Sequence, residues 1–508
     1  MKLKLGTLPV RKCVSSAAPR RPAWSRALQE DTAAYTKALQ ARLQGLTAQD
    51  SLLCDNPSCD SESHSADCDS LLLVVLCAMV ESCYTTIPLS GGGKAGPGRT
   101  ARGGVPGWRE EVRPYQQDSM YWYWVWLREG RPSTGMIHDN MVRSRTLYHY
   151  AVRRCKRQNE ETRAKRLFEA SMKGDTDLLQ EMKGVRSGQA GRDELPETVE
   201  GADGEEEIVD KFCTVYSTLY NCADTKPGME ELKEKINEMI KPEDIEEVHK
   251  VTSDAVNNAV KQMKARKSDI SGGYTSDASL IAPDTMFEHL ATVFRSWLVH
   301  GKGSHNILSC AFLPLLKSSQ KDPALTASYR AIAGSSLILK VLEKTILLLW
   351  GKLLSSDGLQ FGYNTASSTT QASWLVHEVL GHYLREGSNP ICGLLDCSKA
   401  SDLEKWDKMF KLVLLRKIPA VVARAMIYTY QEQYAWCRWG DSGSKPFSIV
   451  NGTRQGSMAS PFLWAVYCDP LLTRLWVLGV GCHMGGMWMG AQLYCDDIAL
   501  LAPTRRAM

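Results

Sequence analysis

The stretch AQLYCDDIALLAP at 491–503 sets two adjacent carboxylates, Asp496 and Asp497, between short apolar runs. Such a pattern reads as a tight strand–turn–strand with the acids at its tip. Like charges there repel and cost stability. The arrangement makes chemical sense where divalent cations offset the charge. A cation site then needs another carboxylate from a neighbouring strand. Asp396 is the candidate, because the apolar run 391–395 in ICGLLDCSKASD presents it at its C-terminal end. Taken singly, each acid reads as a turn or cap residue, and Asp402 reads as the N-cap of the helix beginning LEKWDKMFKLVLL.

The segments between these acids bear on the same chemistry. After Pro419 comes a helix, then a hairpin over AWCRWGDSGSKPFSIV, turning at Asp441–Ser444. The loop from Asn451 to Ser457 carries two glycines with Arg454 and Gln455, and Pro461 opens an amphipathic helix behind it. Glycine lets a bulky ligand approach the backbone, while arginine and glutamine donate to phosphates and base edges. A second constellation lies near the N-terminus. CDNPSCDSESHSADC holds Cys54, Cys59, His64 and Cys68 in a C-x4-C-x4-H-x3-C spacing. Three thiols and an imidazole can close a tetrahedral zinc shell, although the usual C-x2-C first pair is missing. The competing reading is a polar loop with unligated cysteines.

LLDCSKASD, NGTRQGSMASP and YCDD, in that order, resemble three successive motifs of the reverse-transcriptase palm, in the form found in non-LTR retrotransposons. PLLKSSQKDPALTASYRAIAGSSLILKVLEK and LQFGYNTASSTTQA resemble the fingers motifs of that family, and KQMKARKSDISGGYTSDA the block just before them. VPGW, REGRPSTG and RTLYHYAVRRCKR resemble the connector between such elements' endonuclease and polymerase. The resemblance implies an α+β fold, with an antiparallel palm sheet, packed helices and mostly helical fingers. It implies RNA-directed DNA polymerisation with two Mg2+ ions on Asp396 and Asp496, supported by Asp497, and a role for the Cys397 carbonyl.

It further implies that Lys317, Arg330, Ser401, Gln455 and Gly456 meet the nucleotide, and that Arg454 and Tyr494 meet template and primer. RNA template, DNA primer and dNTPs are the implied partners; the sequence points to no protein partner. Ser401 stands where the family has a phenylalanine, Ala331 where it has a proline, and Gln371 where it has an aspartate. The family continues beyond the acidic hairpin into a thumb, and begins with an endonuclease. The chain therefore reads as lacking both, with weak or no synthesis expected. A noncatalytic nucleic-acid-binding remnant is the alternative.

The wider chain bounds these readings. Its 508 residues suffice for two or three domains, and its 44% apolar and 23% charged content is ordinary for a globular protein. The net charge of +4 argues for no particular partner. Its distribution says more: residues 99–166 are basic and 194–247 acidic. That fits a nucleic-acid surface beside a solvated linker, and equally two exposed helical faces. The start has no apolar core of signal-peptide length. The sixteen cysteines then read as reduced, and the location as intracellular, nuclear or cytoplasmic, not secreted.

LLLVVLCAMV at 71–80 is about half the roughly 20 residues of a membrane span and reads as a buried helix, so no membrane partner is expected. SGGGKAGPGRTARGGVPG reads as a flexible loop, residues 24–46 as helical, 120–127 as packed aromatics, 141–172 as a basic helix or helix pair, and 230–264 as two short helices. The expected divisions are 1–150, a helical connector with the Cys/His cluster; 151–240, a basic helix and acidic linker; 241–390, fingers-like; and 391–508, a partial palm.

Overall fold

The computed structural model describes residues 21–89, 112–173 and 196–508, apart from Gly272, Ser319, Asp357, Thr365, Ala366 and Ser398. The glycine-rich loop expected over 90–107 and the start of the expected acidic linker lie outside these residues. The chain divides into two compact units, one of residues 1–19 and 91–195, the other of 20–90 and 196–508.

In chain order, α1 (Gln29–Leu43) and α2 (Ser63–Thr86) belong to the larger unit. α2 contains the apolar run 71–80, and Leu71, Leu72, Val75 and Met79 are buried from it. Among the described residues, the smaller unit is a pair of packed helices, α3 (Arg113–Arg128) and α4 (Met136–Lys173). The basic segment is thus one continuous helix. The aromatic cluster of α3 is less packed than its composition suggests: Tyr121 and Tyr123 are exposed, and Trp126 donates from Nε1 to the Pro132 carbonyl.

The larger unit resumes with α5 (Gly204–Leu219), α6 (Lys226–Met239), the short helix Pro242–Val248 and α7 (Ser253–Lys261). Three helices stand where periodicity predicts two, because Pro242 restarts the helix after Ile240 turns to extended backbone. α8 (Asp284–His300) buries eleven of its residues and ends where Gly301 takes φ 63°.

Strands β1 (Cys310–Leu316) and β2 (Tyr329–Ser335) pair antiparallel, and helix α9 (Leu337–Trp350) follows with Ser336 capping it. α10 (Thr369–Arg385) starts in a capping box: Ser368 Oγ accepts from the Gln371 amide, and Gln371 Oε1 from the Ser368 amide. Next come β3 (Ile391–Asp396), α11 (Trp406–Leu415), α12 (Ala420–Gln431) and β4 (Tyr434–Trp439). α13 (Ser460–Val477), with Pro461 in its first turn, precedes β5 (Ala491–Tyr494) and β6 (Asp497–Ala502).

Two sheets matter for the site. A five-stranded mixed sheet runs β2–β1–β4, extended by Ser442–Gly443 and Phe447–Ser448 against β4. A three-stranded antiparallel sheet runs β5–β6–β3. The larger core joins α1, α2, α5–α9, α11, α12 and the five-stranded sheet; smaller clusters around Leu472 and Leu493, and around Val379 and Leu501, underlie the three-stranded one. Among the described residues, no helix is long and apolar enough to cross a membrane.

Candidate active site

β5 and β6 form a hairpin in which Tyr494 pairs with Asp497 across the two-residue turn Cys495–Asp496. Cys495 takes φ 58°, left-handed backbone that a side chain strains. Three contacts over-determine that turn. Trp464 on α13 donates from Nε1 to the Cys495 carbonyl at 3.0 Å. The strand-like segment 359–361 runs along β5, exchanging bonds of 2.9 and 2.8 Å with Leu493. Gly362 then lies so close that a Cβ there would sit 2.0 Å from the Cys495 nitrogen.

The third strand brings the remaining acid. β6 pairs with β3 so that Asp497 stands directly opposite Asp396, and the Cys397 amide donates to the Asp496 carbonyl at 3.4 Å. Facing residues on antiparallel strands have Cα atoms about 4.5–5.5 Å apart. All three carboxylates are exposed. Their charges converge around Cys397, whose thiol is pushed up first by burial and then by Asp496, Asp396 and Asp497. Hard carboxylate oxygens at an open strand end suit Mg2+ or another hard divalent cation, but among the described residues only Cys54, His64 and His300 bring three ligand atoms within 4.8 Å of one another. Tyr494 is half-buried at the base of the same turn.

The loop 451–457 ties this hairpin's surroundings to the five-stranded sheet. Its Gly452 and Thr453 amides donate to the Glu404 and Ser401 carbonyls at 2.8 and 2.7 Å. Gly452, at φ 81°, admits no side chain, since a Cβ would lie 2.6 Å from the Asp402 carbonyl oxygen. At the other end the Ala333 amide of β2 donates to the Gln455 carbonyl at 2.9 Å, with Gly456 pressed on Ala333.

Gln455 donates from Nε2 to Ser401 Oγ at 3.1 Å and to Asp402 Oδ1 at 2.9 Å. The Tyr220 hydroxyl donates to the same Asp402 oxygen at 2.6 Å. Asp402 is therefore no helix cap. It closes the turn Ala400–Asp402, while α11 begins at Trp406 after Lys405, which makes no capping bond. Burial raises its carboxyl above the usual value, against the pull of those two donors.

Arg454 departs furthest from expectation. Its side chain is 2% exposed, paired with Glu343 of α9 at 3.1 Å and lying over the Tyr430 ring. Glu343 also accepts from Ser457 Oγ and the Met458 amide. A guanidinium enclosed this way is not placed to touch template or primer; it rivets the loop to α9. Lys317 and Arg330 are exposed on the β1–β2 pair, Lys317 donating to the Ala327 carbonyl at 2.8 Å.

The zinc expectation needs correction. Cys68 points from α2 into the core, its sulfur 3.9 Å from the Val293 carbonyl and its thiol pushed up to about 12 by burial. Cys59 also stays outside the group. Cys54 and His64 do meet, but with His300, at the far end of α8, within 4.8 Å. No local spacing could have revealed His300, because only the packing of α8 on α2 brings it there. Burial foremost, and then the neighbouring His64, push the His300 imidazole down to about 4.

Residues 317–508 match the family described as reverse transcriptase (RNA-dependent DNA polymerase). The chain is also similar to two curated proteins. One is a retrovirus-related Pol polyprotein from the type-1 retrotransposable element R2 of Nasonia vitripennis, 22% identical over 255 residues, or 50% of this chain and 24% of that protein. The other is a putative 115 kDa protein in the type-1 retrotransposable element R1DM of Drosophila melanogaster, 25% identical over 251 residues, or 48% and 23%. The matched stretch thus spans about a quarter of each relative's length.

Proposed function

Given that residues 317–508 form a reverse-transcriptase domain of non-LTR retrotransposon type, we propose that the chain extends a primer 3′-hydroxyl with dNTPs on an RNA template. The observation that carries this reading is the register setting Asp396 opposite Asp497, one residue from Asp496 at the turn. In this reading β5–β6–β3 is the palm, and the β1–β2 pair with α9 belongs to the fingers. Asp396 and Asp496 would hold Mg2+, with Asp497 supporting the same site. When bound, two such ions supply activation of the attacking hydroxyl and charge stabilisation of the pyrophosphate leaving group.

The chain's own residues do the positioning. Lys317 and Arg330 place fixed positive charge where a triphosphate docks. Ser401, held by Gln455, offers less bulk than phenylalanine against a ribose 2′-hydroxyl, so discrimination between dNTP and rNTP is weak. Gly456, pressed on Ala333, holds the loop backbone close to β2 beside the nascent pair, and Tyr494 flanks the primer end. Grip on the duplex rests on phosphate contacts and is salt-sensitive.

Primer extension on an RNA template at low salt tests the proposal. Extension is expected, with Asp496→Asn lowering it by at least about two orders of magnitude. Extension unaltered in that variant would overturn the assignment. A second reading, nucleic-acid binding without catalysis, is favoured by one observation: Arg143, Arg145, Arg153, Arg154 and Arg157 are all exposed on α4. No extension, together with salt-dependent RNA binding that survives Asp396→Asn and Asp496→Asn, would support it.

A further inference from the structure

Cys54, His64 and His300 make a second cluster, far in sequence from the carboxylates and different in chemistry. Cys54 follows the turn Asp50–Leu53, His64 stands in the first turn of α2, and His300 is the last residue of α8. Each ring spends one nitrogen on a backbone carbonyl. His64 Nδ1 is 2.8 Å from the Ser51 oxygen, and His300 Nε2 is 2.9 Å from the Cys54 oxygen. Carbonyls only accept, so those nitrogens carry the protons.

The opposite nitrogens, His64 Nε2 and His300 Nδ1, are buried and meet no hydrogen-bond partner. The residues that carry them are 2% and 5% exposed. Two enclosed ring nitrogens without donors, on histidines grouped with the Cys54 thiol, form an arrangement that asks for a ligand.

We propose that Cys54 Sγ, His64 Nε2 and His300 Nδ1 bind one zinc ion, with water at the fourth position. A thiolate with two imidazoles selects a borderline-soft cation over hard Mg2+. The carbonyl bonds on the far nitrogens are the partners that orient metal-bound histidines. The rings now stack, centroids 3.6 Å apart and planes 9° from parallel. Parallel rings send their lone pairs side by side, so zinc binding tilts one ring and draws the donors inward from their present 4.8 Å limit.

The ion would fasten the 54–64 loop to the end of α8. Arg424 of α12 already bridges that junction, donating to the Pro57 and Val299 carbonyls. The site is independent of the polymerase reading.

The full chain, purified without chelator, is expected to carry about one zinc per molecule. Cobalt(II) added to the stripped protein should give tetrahedral visible bands and a thiolate-to-cobalt charge-transfer band. Cys54→Ser should abolish that band, and His300→Gln should weaken zinc binding at least about tenfold. Cys59→Ser and Asp496→Asn should leave zinc content unchanged. Wild-type protein with neither zinc nor a cobalt spectrum would overturn the site. So would a His300→Gln protein, folded by circular dichroism, that keeps full zinc. Because the wild-type cobalt spectrum needs no variant, misfolding of a mutant leaves the test intact.

Discussion

The ion pair between Arg454 and Glu343 is the residue-scale feature with the largest energetic consequence. Both side chains are buried and bonded to one another, and removing one partner of such a pair costs about 3–5 kcal/mol. Glu343→Ala should lower the urea midpoint accordingly, whereas a double change to Glu343→Leu and Arg454→Met should recover much of the loss. Glu404 makes a different prediction. It is enclosed, and neither oxygen has a well-aligned hydrogen-bond partner; burial raises its carboxyl well above 4.5, with Thr453 near enough to oppose the shift in part. The folded protein therefore keeps a proton that the unfolded chain releases. The stability this group contributes is complete below pH 4.5 and falls as pH climbs towards the raised value. Glu404→Gln should flatten the urea-midpoint profile above pH 4.5, raising its alkaline end. The three aspartates were legible because apolar runs fix which end of a strand presents them. Arg454 was not, since its partner lies in α9 and no local pattern marks an arginine as enclosed.

At the scale of elements, the β5–β6 turn depends on its neighbours. Gly362→Ala would drive a Cβ into the Cys495 nitrogen, so the turn or the 359–361 segment must move. Such overpacking typically costs about 1–3 kcal/mol, and extension activity should fall while far-UV circular dichroism stays unchanged. The hairpin, the helix behind Pro461 and the helix after Pro419 could all be read from the sequence, because turn chemistry and proline act locally. The role of Asp402 could not: Tyr220 and Gln455 arrive from distant segments and outbid the nearby helix for its carboxylate. Gln371 illustrates a middle case. Its departure from an aspartate weakens nothing locally, since it completes the capping box of α10 with Ser368.

At the scale of the whole molecule, the expected boundary at residue 150 falls inside α4, and α1 and α2 share a core with α8. Composition could not show this, because helices packed across long loops leave no mark on local sequence. β3 is an edge strand of its sheet with Leu394 79% exposed. An apolar open edge invites pairing between copies, so Leu394→Lys should suppress concentration-dependent light scattering without altering the melting temperature by more than about 2 °C. The loop 451–457 has a further consequence for dynamics. It is bonded at one end to β2 and at the other to the Ser401–Glu404 turn, so β2 and that turn cannot loosen separately without severing it. Under native hydrogen exchange, the amides of Ala333, Gly452 and Thr453 should therefore open together, as one cooperative unit with a common opening free energy.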